Sequence, residues 1–119
     1  MADRRKLCGC GTGEYEEKRS RFIGEIFPAA DETDARQRIE STRKKYPDAR
    51  HHCWAWVLPD GAYRWSDDGE PGGTAGAPML DILRSADVYG AVCVVTRYFG
   101  GTLLGSGGLV RAYSRAASL

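Results

Sequence analysis

The chain has 119 residues, the size of one ordinary domain, and 42% hydrophobic with 28% charged residues makes it globular rather than disordered. Seventeen Lys and Arg against sixteen Asp and Glu leave a net charge of +1, which excludes a global positive field for sequence-independent DNA binding and leaves local patches. Apolar runs are too short for a membrane span and no apolar stretch follows the charged N-terminus, so no membrane partner and a cytoplasmic address are expected.

Charge and glycine are unevenly spread. Residues 1–50 hold twelve Lys and Arg and ten Asp and Glu, against five and six in the remainder. Ten of the fifteen glycines lie between Gly69 and Gly108. The first half reads as scaffold and the second as unusual backbone. Residues 14–27 predict one or two strands, with Gly24 marking a bulge or turn, ended by Pro28. A helix is expected from about Glu32 to Tyr46. Ala35, Ile39, Thr42 and Tyr46 share one face, acids sit at its start, Arg43-Lys44-Lys45 at its end, and Pro47 stops it.

Residues 51–58 alternate as a strand, with His52, Trp54 and Trp56 on one face and His51, Cys53 and Ala55 on the other. Pro59-Asp60-Gly61 turns the chain into a partner strand through Trp65. The run from Ser66 to Pro78 is loop until Thr74, a plausible N-cap for a short helix with Met79, Leu80 and Leu83 inward. Residues 88–99 predict a central strand buried on both faces. Ser106 is then read as the N-cap of a last helix with Leu109, Val110, Tyr113 and Ala117 inward. That helix meets the C-terminus without a stop signal, which predicts a frayed end or a chain cut from a longer protein.

Two Gly-rich loops thus follow strands and open helices. Free N–H groups and the helix dipole favour an anion at such a start. Gly107 and Gly108 inside a first turn cost about 1 kcal/mol each relative to Ala, which a ligand, a close backbone or packing must offset. The spacing is neither a P-loop nor a dinucleotide fingerprint. The anion or RNA contacts expected are Gly73 and Thr74 in the first loop, and Gly100, Gly101, Gly105, Ser106, Gly107 and Gly108 in the second, with Arg97 and Arg111. Asp67, Asp68 and Glu70 form an acidic loop that either serves backbone turns or offers hard oxygen ligands for metal-assisted hydrolysis. Arg97 cannot be buried unpaired, and those carboxylates are its nearest partners if the loops adjoin. Trp54, Trp56 and Trp65 are a candidate aromatic platform for bases. The spacing of Cys8, Cys10, Cys53 and Cys93 is not a two-CxxC zinc pattern, although Cys8 and Cys10 could join His51, His52 or Cys53, and no metal site or cofactor is expected. No Ser-His-Asp or Cys-His arrangement is evident, so no catalytic residue is assigned.

The second Gly-rich run, Arg97-Tyr98-Phe99-Gly100-Gly101 through Leu104-Gly105, Gly107-Gly108-Leu109 and Arg111-Ala112-Tyr113, closely resembles the signature of the IMPACT (YigZ) family. Ser66-Asp67-Asp68-Gly69-Glu70-Pro71, with Gly73-Thr74-Ala75-Gly76 and Pro78, resembles its second motif. Lys18-Arg19-Ser20-Arg21-Phe22-Ile23 and, in the next strand, His51 with Cys53-Trp54-Ala55-Trp56 match earlier ones. Gly72 and His52 stand where the family usually has Ser and Asn, so no hydroxyl or amide role is carried over there. The resemblance implies an α/β (α+β two-layer) domain over residues 14–119 after a flexible segment 1–13. It implies a mixed sheet of four or five strands with helices on one face and a left-handed βαβ crossover, similar to a domain of ribosomal proteins and translocation factors. Bacterial relatives carry a further ferredoxin-like domain. Eukaryotic members act in translational control, restraining activation of a kinase that phosphorylates an initiation factor. For this chain the resemblance implies a binding module for RNA or the ribosome, with a protein partner also in view, favoured over an enzyme.

Overall fold

A computed structural model describes residues 5–6 and 9–118. The elements in chain order are β1 (Arg5–Lys6), β2 (Gly11–Glu17), β3 (Ser20–Pro28), α1 (Glu32–Lys45), β4 (His51–Val57), β5 (Tyr63–Ser66), α2 (Gly76–Ser85), β6 (Val88–Tyr89), β7 (Ala91–Tyr98) and α3 (Gly105–Ser118). Of the segment 1–13 expected to be flexible, residues 1–4 and 7–8, with Cys8, lie outside the described residues; residues 5–6 pair with β6 and 11–13 belong to β2. Among the described residues no helix is long and apolar enough to cross a membrane.

The main sheet has five strands in the order β2-β3-β7-β4-β5, and every neighbouring pair is antiparallel. The class is therefore α+β, and the sheet is antiparallel rather than mixed. β7 lies at its centre and is buried from Ala91 to Arg97. The β2–β3 hairpin turns on Lys18 and Arg19, whose φ angles are +47° and +71°, the positive values a two-residue primed turn needs. Gly24 is neither turn nor bulge: it pairs in regular register with Gly13 and Val95. A Cβ at Gly24 would overlap the Ala116 carbonyl, so glycine here lets the last turns of α3 lie directly on β3.

The helices cover both faces. Met79 and Leu83 of α2 and Leu109 and Tyr113 of α3 pack on Phe22, Cys53, Ala55, Cys93 and Val95. Ala35 and Ile39 of α1 pack on Trp56, Val92 and Val94. The expectation of helices on one face fails because the alternation in β4 and β7 is apolar on both sides, and each apolar face needs a cover. The buried side of α3 is Leu109, Ala112, Tyr113 and Ala116, with Val110 turned out, one position off the expected stripe.

This arrangement fixes the crossover hands. β3 and β4 run parallel with β7 between them, joined by α1 over one face. β5 and β7 run parallel with β4 between them, joined by α2 over the other face. Strand direction, direction of travel and helix face are all reversed between the two connections. They therefore have opposite hands, and one of them is left-handed against the general rule.

Candidate functional site

Both Gly-rich loops come off the same end of the sheet and meet. Residues of each, Glu70 and Pro71 from one and Phe99 with Leu103 to Ser106 from the other, line one cleft of about 320 Å³.

The first loop, from β5 to α2, is satisfied from within. Asp67 accepts the N–H groups of Ala75 and Gly76 on Oδ1, at 3.1 and 2.9 Å, and of Gly73 on Oδ2 at 2.8 Å. It caps α2 from nine residues upstream. Thr74 is not the N-cap; its hydroxyl donates to the Pro71 carbonyl at 2.6 Å, and so does its N–H. The helix cap position is Ala75, which has no side chain to offer. Asp68 accepts from the His52 N–H at 2.7 Å and from Arg43 at 3.1 Å. Burial pushes the Asp68 carboxyl up, but those two donors outweigh it and hold it below the usual range. Gly73 and Thr74 therefore have no N–H free for an anion.

Glu70 is the third carboxylate and is 8% exposed. It accepts Arg97 Nη1 on both oxygens, at 2.9 and 2.7 Å, and the Tyr113 hydroxyl at 2.5 Å. Burial, with Cys53 and Glu70 as neighbours, pushes the Tyr113 hydroxyl up, so it stays protonated and donates. Arg97, 5% exposed, also donates from Nη2 to Ser20 at 3.3 Å. It is the clamp between the loops that burial cost demands, rather than a free anion contact. Its Nε–H has no acceptor among the described residues. The acidic loop does not form the open ligand set a metal-assisted hydrolase needs. Asp67, Asp68 and Glu70 face three different sets of donors, and no group of three or more His, Cys, Asp or Glu among the described residues could hold a metal ion.

The second loop, from β7 to α3, is built differently. Gly100 donates its N–H to Ser20 Oγ at 3.1 Å, and a Cβ there would overlap the Arg19 backbone. Its glycine serves close approach to the β2–β3 turn, which removes it as an anion contact. Gly101, Gly105, Ser106 and Gly107 are exposed and Gly108 is half-buried. Ser106 lies inside the first turn rather than at the cap, because α3 already starts at Gly105. A helix starting there leaves the N–H groups of Gly105, Ser106 and Gly107 without intrahelical acceptors. No side chain among the described residues caps them, and the first turn has no acid. Arg111 is exposed, and its guanidinium folds back so that Nη1 lies 3.4 Å from where a Gly107 Cβ would stand. It has no ion-pair partner among the described residues.

The aromatic platform does not form. Trp54 and Trp56 share a face and stack at 4.7 Å, but they lie under α1, with Trp56 1% exposed. Trp65 pairs with Ala55 and so points to the opposite face, where it is 40% exposed. Cys93 is buried, which pushes its thiol up to about 12 and leaves it inert. The side chains that residue-by-residue reading missed are Ser20, which ties the hairpin to the second loop, and Arg50, whose guanidinium lies 4.7 Å over the Phe99 ring. Leu103, at the tip of the second loop, is 82% exposed.

Comparison with known proteins agrees with these motifs. Residues 18–119 match the model of the Impact N-terminal domain. The chain is 51% identical over 102 residues to the IMPACT family member YigZ of Escherichia coli, covering 82% of this chain and 50% of that protein. It is 42% identical over 110 residues to YvyE of Bacillus subtilis, covering 89% and 51%. It thus spans about half the length of the curated relatives it matches. A crystal structure described only as that of a hypothetical protein superposes with a TM-score of 0.89 at 46% identity, over 92% of this chain and 55% of that one. Yih1, a two-domain translational regulator, superposes with a TM-score of 0.59 at 26% identity, over 92% and 45%. Matched motifs, identity and fold together place this chain in the IMPACT family, as its N-terminal domain.

Proposed function

We propose that this domain is a docking module of translational control that seats backbone phosphate of RNA, free or in the ribosome, at the start of α3. The observation that carries the reading is the pairing of three N–H groups with the Arg111 guanidinium, none of which has a partner among the described residues. A cation near the positive end of a helix is unfavourable by itself, and an anion between them offsets both. The relationship to Yih1 supports the process, and the loop geometry supports the mode of docking. Gly101, Gly105, Ser106, Gly107, Gly108 and Arg111 form the surface; Arg97 and Glu70 hold the two loops in place behind it.

Binding of a short single-stranded RNA, followed by fluorescence anisotropy across rising salt, tests this. Two or three phosphate contacts give a log–log slope of about −1.4 to −2.1. Arg111→Ala should lower the slope by about 0.7 and leave the melting temperature unchanged. Salt-independent binding, or an Arg111→Ala protein with the same slope, contradicts the reading.

A further inference from the structure

We propose that the cleft beside the start of α3 is a base pocket, which takes one unstacked nucleobase of the strand whose phosphate sits on α3. This rests on the phosphate reading above and adds the substrate class, single-stranded RNA with an accessible base. Three observations carry it. The cleft, at about 320 Å³, lies at the small end of ligand pockets, and Phe99, Leu103, Leu104 and Leu109 give it apolar walls. Arg50 stacks its guanidinium over Phe99 at 4.7 Å, and an aromatic ring with a guanidinium plane is the surface on which single-stranded bases stack.

The third observation decides between a base and a second phosphate. Arg97 is 5% exposed and lines the same cleft as Gly105 and Ser106, and its Nε–H lacks an acceptor among the described residues. Its charge, however, is already neutralised by Glu70 at 2.7 Å. A second phosphate in the cleft would meet the Glu70 carboxylate, which lines it, with the Arg97 charge already spent on that carboxylate. A neutral base, lying on the Arg50 and Phe99 surface, enters the cleft without that repulsion. An apolar side chain of a protein partner would fill the walls and leave the Arg50 guanidinium plane unused.

The test uses the chain labelled with nitrogen-15 and neutral probes. Uridine and guanosine should shift the Phe99 and Leu103 amides, while inorganic phosphate shifts only the amides at the start of α3. A short RNA should bind about tenfold more tightly than an abasic strand of the same length. Phe99→Ala should close that gap with the salt slope unchanged. Leu103→Ala, at a wall residue that is 82% exposed, should narrow it without touching the fold. Equal affinity for the two strands, with no response to nucleosides, overturns the base pocket and leaves the phosphate reading standing if the salt slope persists. A nucleoside response with a flat salt slope overturns the phosphate reading instead. A response to N-acetyl-leucine amide and none to nucleosides overturns the base pocket in favour of a protein side chain.

Discussion

The two Gly-rich loops follow one plan, strand then glycines then helix, and end in opposite states. In the loop before α2, Asp67 answers three N–H groups and Asp68 answers a fourth from β4. In the loop before α3 the first helical turn carries no acid, and the nearest guanidinium has no ion-pair partner among the described residues. Glycine content is the same kind of signal in both. What separates a structural staple from an open anion site is whether the loop carries its own acceptors. The first loop fixes the second through Glu70 and Arg97, so the closed loop is the mount for the open one.

The largest expected effect comes from breaking that mount. Arg97→Ala leaves Glu70 buried without its cation and should destabilise the fold by about 4 kcal/mol, read by denaturant unfolding. An unchanged stability with lost RNA binding would turn Arg97 back into a surface anion contact. Next, Asp67→Ala removes the acceptor of three N–H groups and should cost about 2 kcal/mol, with α2 the first element to lose exchange protection. Asp67→Asn, which keeps an acceptor oxygen, should cost less. If the loops were equivalent, neither would differ from substitutions before α3.

A smaller change would make the open loop resemble the closed one. Ser106→Asp places a carboxylate in the first turn of α3 and should raise stability by about 0.5 kcal/mol through the dipole, while abolishing phosphate binding. Retained binding would mean that the helix start is not the site.

The smallest effect is a pH dependence on the closed side. Burial, then the nearby Arg43 charge, lowers the His52 pKa below its ordinary 6.5. The unfolded chain then binds the proton more readily, so stability falls as pH drops through 6.5 toward the lower folded value. Asp68, held below the usual range, adds a second loss at lower pH, as acidification passes the ordinary carboxylate value and reaches its folded one. His52→Asn should flatten the first window and leave the second. An unaltered profile in that variant would remove His52 as the titrating group.

The periodic elements were legible because short-range geometry dictates them. Ala35, Ile39 and Thr42 lie three or four residues apart and are the buried face of α1. Trp54 and Trp56 share a face by period two. The Arg97 clamp was legible from the cost of burying a charge, without any template. What was missed depends on distance along the chain. The side of Trp65 is set by a cross-strand register that pairs Trp54 with Ser66, which strand alternation alone does not specify. Thr74 looked like the cap because it stands next to α2, whereas Asp67 reaches back from nine residues upstream. The Lys18-Arg19 turn has no Gly or Asn to announce its positive φ angles. For the helix layers, periodicity marks which residues face inward and does not say on which side of the sheet each helix crosses.

Among the described residues only the start of α3 is open, and titrating inorganic phosphate while following every backbone amide reads this directly. Ser106 and Gly107 should shift together, and Gly73, Ala75 and Gly76, already bonded to Asp67, should not. Equal shifts at both starts, or shifts confined to Gly73 through Gly76, would contradict it.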